Sequence, residues 1–262
     1  YIPTPKALDA AYGSGSKYIA SMDAAAASKL PEGPLYVIAG MLLKIGGENS
    51  PLFMASSGKS LIIAPNAGLA AAYGPTETHL VLGAAALGFT VLKEPLSLLL
   101  RCGETDYLAS AGKLTPLSGS TATMLTAPKL TTAECAGFAK RAEVLPVPVF
   151  LLSPAGNVYH MAGNKVQYVT TPAQLDQLSQ GTLRLIPTTE AALSGLAHTP
   201  AAIPAGTAIQ FSGKGEVYQW DGQQLHHIVA FSTLLALYGG QVPPIAKLPE
   251  VTLPGYPKGA PL

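Results

Sequence analysis

The stretch Phe150-Leu-Leu-Ser153-Pro-Ala-Gly156-Asn-Val158-Tyr159-His-Met-Ala-Gly163-Asn-Lys-Val-Gln-Tyr168-Val169 decides the architecture. Moved by 59 positions without a gap, it falls on Ile209-Gln-Phe-Ser212-Gly-Lys-Gly215-Glu-Val217-Tyr218-Gln-Trp220-Asp-Gly222-Gln-Gln-Leu-His-His-Ile228. Serine meets serine, Gly156 meets Gly215, Val158-Tyr159 meets Val217-Tyr218, and Gly163 meets Gly222. A second ungapped shift, of 165, places Phe53 on Tyr218, Ile63 on Ile228, Leu69 on Leu234, Tyr73 on Tyr238 and Gly74 on Gly239. That shift is three periods of about 55 residues, so two further units lie between. One surrounds Tyr159. The other surrounds Tyr107, where Tyr107-Leu-Ala-Ser-Ala-Gly112-Lys113 echoes Phe53-Met-Ala-Ser-Ser-Gly58-Lys59.

All four units share one grammar. A first apolar run (Met41–Ile45, Leu98–Cys102, Val149–Ser153, Ala208–Ser212) leads into a glycine turn. A second run carries the aromatic and ends at Gly58, Gly112, Gly163 or Asp221-Gly222, and a third run follows. Short runs bounded by such turns read as antiparallel strands, with Asp-Gly a strong hairpin signal. Leu69–Gly74 and Leu234–Gly239 then read as short helices ending at a glycine, and Leu8–Gly13 has the same form. A short strand before each meander, such as Tyr18–Met22, or Ile245–Leu248 at the far end, completes a four-stranded sheet per unit. The expected fold is therefore mainly β with short helices, built as four repeats of small antiparallel sheets. They close as a β-propeller-like ring or lie as an open repeat stack. The repeats form a single domain over 1–262: a half-unit at 1–36 and units at 37–95, 96–147, 148–206 and 207–262.

Composition narrows the function. The 262 residues are 48% apolar and only 12% charged, with formal net charge +1. Charge is about half the usual ~25% of a soluble chain. This balance gives no electrostatic footprint for nucleic acid. The longest apolar stretch, Leu80–Leu92, is too short for the ~20 residues of a membrane helix, so no membrane insertion is expected. The chain opens Tyr1-Ile2-Pro3 without Met or a signal sequence, as a mature protein or an excised piece would. Cys102 and Cys135 are the two cysteines. As a disulfide they close a loop worth roughly 3–4 kcal/mol; as free thiols they fit a cytosolic core. The low charge and abundant Gly and Pro favour the disulfide and an exported chain.

Catalytic motifs are weak. Gly58-Lys59-Ser60 lacks the earlier glycine of a phosphate loop, since Phe53 stands there. Ser14-Gly-Ser-Lys17 and Ser56-Ser-Gly-Lys59 have acylase spacing but no partner motifs. Adjacent His226 and His227 on one strand point to opposite faces, and no Cys/His cluster supports a metal. The expectation is a non-enzyme with no metal and no cofactor. The functional opening is the aromatics: Tyr107, Tyr159 and Tyr218 with Tyr168, and Trp220-Asp221 at a turn beside Gln223 and Gln224. They either pack between sheets or stack on sugar rings in repeated, collectively strong pockets.

Gly215-Glu-Val217-Tyr218 with Asp221-Gly222, Val158-Tyr159 with Gly163, and the exits Leu30-Pro31-Glu32-Gly33-Pro34 and Pro257-Lys258-Gly259-Ala-Pro261 carry a resemblance. The unit resembles repeats of secreted Gram-positive, chiefly actinobacterial, surface proteins that accompany cell-wall hydrolases. The resemblance implies export and attachment. Together these readings predict a secreted or cell-surface module that binds cell-wall or other surface glycan, as the targeting part of a longer protein. The alternatives are a scaffold or adhesin that binds a surface protein, and a hydrolase with its site in irregular unit 2, where Ser120–Val144 breaks the pattern.

Overall fold

Glycine turns and short apolar runs produce the three-stranded meander in every repeat. The chain then adds a parallel strand at one edge and, at the other, a strand in repeats 1 and 3 or parallel bridges in repeats 2 and 4. The computed structural model describes residues 36–57, 60–74, 78–81, 88–118 and 127–262, with 8, 9, 13, 23 and 26. Most of the expected half-unit lies outside them, including Tyr18–Met22, Lys17 and the exit at Leu30–Pro34, as does the turn Gly58-Lys59. The chain divides into two compact units, 1–145 and 146–262, and each holds two repeats.

In the first unit, β1 (Leu42–Ile45), β2 (Leu52–Ala55) and β3 (Ser60–Ile63) form the antiparallel meander of repeat 1. Helix α1 (Ala67–Ala71) follows, started by the Asn66 side chain, which accepts from the Leu69 N–H. Then β4 (Thr78–Val81) lies parallel to β1, and β5 (Thr90–Val91) lies parallel to β3. Repeat 2 has β6 (Leu99–Cys102), β7 (Thr105–Ser110) and β8 (Lys113–Pro116) as its meander, with β9 (Lys129–Leu130) parallel to β6. Parallel bridges from Leu114 to Lys140 and from Leu117 to Leu145 occupy its other edge.

In the second unit, repeat 3 contains β10 (Val149–Leu152), β11 (Val158–Ala162) and β12 (Lys165–Tyr168). Helix α2 (Pro172–Ser179), β13 (Leu185–Pro187), helix α3 (Glu190–Ser194) and β14 (Ala197–Thr199) follow. Repeat 4 contains β15 (Thr207–Phe211), β16 (Val217–Trp220), β17 (Leu225–Ile228), helix α4 (Phe231–Leu237) and β18 (Ile245–Leu248). A 3-10 helix spans Glu250–Gly255.

The protein is mainly β, with four small mixed sheets. Mixed pairing corrects the expected antiparallel sheets, and its cause is the long connection after each meander, which holds a helix in repeats 1, 3 and 4. A connection of that length carries the chain back to the first strand in the same direction, which a tight hairpin cannot do. The fourth strand thus follows its meander instead of preceding it: Ile245–Leu248 pairs in parallel with β15 of its own repeat.

The same rung recurs in the register of all four meanders. Leu43 faces Phe53, Leu100 faces Tyr107, Leu151 faces Tyr159 and Ile209 faces Tyr218. On the other side those aromatics face Ile63, Pro116, Tyr168 and His227. Ile63 is therefore the counterpart of His227 and not of Ile228, because the second hairpin of repeat 1 is one residue longer.

The fifth-strand position also repeats. Gly88-Phe89-Thr90-Val91, Gly137-Phe138-Ala139-Lys140, Gly195-Leu196-Ala197-His198 and Gly255-Tyr256-Pro257-Lys258 bring their last residues opposite Leu61, Leu114, Val166 and Leu225. Phe138, Leu196 and Tyr256 are buried, and Phe89 packs on Met41 and Leu43. One face of the repeat 4 sheet buries Ile209, Phe211, Trp220 and Leu225 with Tyr256; the other buries Ala208 and Ile228 under Leu234 of α4.

Candidate functional site

The recurrent aromatics are placed by the meander, and their rings are largely spent on packing. Tyr159 is fully buried, its ring 5.7 Å from Tyr168 and 6.3 Å from His198. Burial, with smaller contributions from Glu190 and Tyr168, pushes its phenol well above the ordinary tyrosine range. Trp220 is 5% exposed and meets Tyr256 edge-on at 5.2 Å. Tyr218, half-buried, lies 6.0 Å from Phe211 and 5.4 Å from His227. Half-buried Tyr168 packs against the core of repeat 4, and Tyr107 carries Lys140 Nζ at 5.3 Å from its ring centre. Edge-to-face contacts of this kind cement a core. They leave the Trp220 and Tyr159 faces covered.

Asp221 is the exposed member of the expected set. Its Oδ1 accepts from the N–H groups of Gln223 and Gln224 at 2.7 and 2.6 Å, and its Oδ2 lies 2.9 Å from His226 Nε2. The Gln224 N–H, then His226, then the Gln223 N–H bring its carboxyl down to about 2. Asp221 in turn, followed by the Ala260 carbonyl at Nδ1, raises the His226 imidazole above its ordinary value. His227 turns to Tyr218 instead, so the adjacent histidines serve opposite faces. Among the described residues no three His, Cys, Asp or Glu side chains gather as metal ligands.

Irregular repeat 2 holds the disulfide Cys102–Cys135 and a hydrogen-bonded carboxylate beside it. Glu134 Oε1 accepts from the hydroxyls of Ser60 and Ser56, and Oε2 accepts from the Thr131 N–H and hydroxyl at 2.9 and 2.8 Å. Burial raises the Glu134 carboxyl, but these donors together outweigh it and hold the group below its ordinary value. The Ser57 N–H donates to the Glu134 carbonyl at 3.0 Å, and Ser57 Oγ accepts from Gly137 at 3.1 Å. This cluster clamps repeat 1 to repeat 2. Ser56, from the acylase-like spacing, is fully buried in it.

A feature with no motif in the sequence is the outer surface of α4. Phe231, Val229, Val242 and Leu237 are 63%, 61%, 58% and 40% exposed. An open groove of about 480 Å³ runs beside them, lined by Val217, Ile228, Phe231 and Leu234 with Glu216 and His227. The counterpart helix in repeat 1 is covered. There the Ala72 carbonyl accepts from Gly112 N–H at 2.9 Å, Tyr73 lies 5.8 Å from Phe138, and the Tyr73 hydroxyl donates to the Ser97 carbonyl. An apolar helix reads alike from sequence in both settings.

These features define a mainly β repeat protein with an intact disulfide, and such bonds persist in oxidising, extracytoplasmic compartments. No helix among the described residues is long and apolar enough to cross a membrane. No family model and no curated protein matches the chain. Among solved structures it is similar to a chain of the periplasmic assembly from the ESX-5 inner membrane complex, with 11% identity and a TM-score of 0.20, over 89% of this chain and 95% of that one. It is also similar to a chain of an intact ESX-5 inner membrane complex, with 16% identity and a TM-score of 0.17, over 88% of this chain and 55% of that one. The chain thus spans about half the length of this second structure. Superpositions at these scores do not define a shared fold.

Proposed function

We propose that the protein is a non-catalytic, secreted or cell-surface repeat module that binds a protein partner through α4, with a β-hairpin of the partner as occupant. The carrying observation is the contrast between equivalent helices: a hairpin turn of repeat 2 covers α1, whereas α4 leaves Val229, Phe231, Leu237 and Val242 in solvent. Exposed apolar patches of this kind mark interaction sites, and the repeat already uses this helix position to receive a hairpin.

Benzoylphenylalanine at position 231, photoactivated in the producing cells, tests the reading. The expected result is one discrete cross-link that maps to a partner's hairpin and disappears in Val242→Glu. Absence of such an adduct, with retention on purified peptidoglycan, favours wall-glycan binding instead. Adducts between copies of the chain make the surface one of self-association. The likeness to actinobacterial wall-protein repeats belongs to this proposal, as does propeller-like closure of the four sheets. Small-angle scattering reads closure: a compact ring has a radius of gyration of about 18 Å, and an open stack a larger one.

A further inference from the structure

Repeats 3 and 4 grip their fifth strand with the same device built from different side chains. In repeat 3, Gln167 Nε2 donates to the Pro200 carbonyl at 2.8 Å. Pro200 lies two residues past His198, which pairs with Val166. In repeat 4 the matching residues are His226, Ala260 and Lys258, and His226 Nδ1 lies 2.8 Å from the Ala260 carbonyl. A side chain that cannot titrate in this range therefore stands in one repeat, and an imidazole stands in the other. Asp221 backs that imidazole at 2.9 Å, where repeat 3 has Ala162 at the matching position.

Both ring nitrogens of His226 thus face acceptors. A neutral imidazole carries one N–H and can satisfy only one of them, whereas the cation satisfies both. The segment it holds has few other grips. Backbone bonds run from Leu225 N–H to the Pro257 carbonyl, from Gly259 N–H to the Leu225 carbonyl and from Leu262 N–H to the His227 carbonyl, at 2.8, 2.9 and 2.9 Å. Pro257, Lys258, Ala260, Pro261 and Leu262 are exposed, and Tyr256 is the buried anchor. Contact with the ring is close: a Cβ on Gly259 would come 2.5 Å from His226 Cε1.

We propose that residues 257–262 form a proton-latched strap over β17, closed while His226 is charged and loosened when the ring is neutral. Opening uncovers the β17 edge, where another strand can pair. Of the charged groups around the ring, Asp221 faces it from the hairpin. Lys258 lies exposed on the strap, Gln219 opposite on β16 is neutral, and His227 is turned to Tyr218. The sign follows from His226 being raised in the folded protein: the latch is intact below the ordinary imidazole value and is lost as pH rises through the raised one.

Hydrogen exchange of the Gly259 and Leu262 amides in the full chain, corrected for intrinsic rates, tests this beside an NMR titration of His226. In the native protein, opening is expected to rise about tenfold as His226 loses its proton, the order of one charge-assisted hydrogen bond. In His226→Gln, built to copy repeat 3, protection is expected to stay flat across the same range. Equal protection in the native protein on both sides of the His226 titration overturns the proposal. So does a His226→Gln strap that opens with the native pH profile.

Discussion

The hydroxyl of Tyr256 accepts a hydrogen bond from the buried backbone N–H of Ala201 at 2.8 Å, tying the end of repeat 4 to the exit of repeat 3. Burial raises the Tyr256 phenol to about 12, against the lowering effect of the Ala201 N–H, so the group stays neutral. Tyr256→Phe keeps the ring against Phe211 and Trp220 but strands the Ala201 N–H. We expect a loss of about 1–3 kcal/mol, read as faster exchange of the Ala201 amide and an earlier urea transition of the second unit. Unchanged exchange at Ala201 would show that the bond does not carry this junction.

In the first unit the repeats meet backbone to backbone. Gly112 has φ +76°, and a Cβ there would stand 3.4 Å from the Gly74 Cα. Gly112→Ala therefore combines a left-handed conformation with crowding, and we expect a destabilisation of about 1–2 kcal/mol. Native-state exchange should place the loss at the Gly112 and Tyr73 amides, with the second unit unaffected.

The Glu134 clamp has a defined acid response. Its carboxyl is lowered in the folded protein, so its stabilisation is present above the ordinary glutamate value and is lost as pH falls through the lowered one. Acid should loosen the repeat 1 to repeat 2 junction, seen as faster corrected exchange of the Ser57 and Gly137 amides. Glu134→Gln should remove most of that pH dependence. A native junction equally protected across the acid range would contradict the assignment.

Cys102 and Cys135 stand 33 residues apart in sequence and are buried in repeat 2. Reduction by dithiothreitol should cost roughly 3–4 kcal/mol on the chain-entropy account and lower the thermal transition of the first unit. The transition of the second unit, which contains no cysteine, should not move.

The meander was legible because its signals are local: glycine turns every few residues and one aromatic at a fixed rung. Of the added edge strands, Ile245–Leu248 was legible as a strand but not as the parallel partner of β15, and the others were not legible. β5 and β9 have two residues each, too few to show a period. The fifth-strand residues Val91, Lys140, His198 and Lys258 share a backbone role and no side-chain chemistry. A glycine followed by a large apolar residue recurs before each of them, a signal that becomes readable once register is known. The site behaved similarly. Aromatics repeated in every unit mark what every unit needs, which is a core, and Trp220 resembled a ligand platform because its turn neighbours are polar. Phe231 gave no warning of exposure, since an apolar residue opening a helix reads the same with or without a neighbour above it.

Trp220 provides the sharpest separation of packing from sugar stacking, because it is the protein's single tryptophan. Held at 5% exposure against Tyr256, its emission should lie to the blue of the urea-unfolded state and resist acrylamide quenching. Trp220→Ala should cost about 3–5 kcal/mol, the usual loss for emptying a buried aromatic site, and should disturb Tyr256 and the strap it anchors. Muropeptide fragments added to the native protein should leave the emission unchanged, because the Trp220 ring is covered. Strong quenching in the folded state, or a saturable emission shift with muropeptide, would return Trp220 to the surface and to carbohydrate recognition.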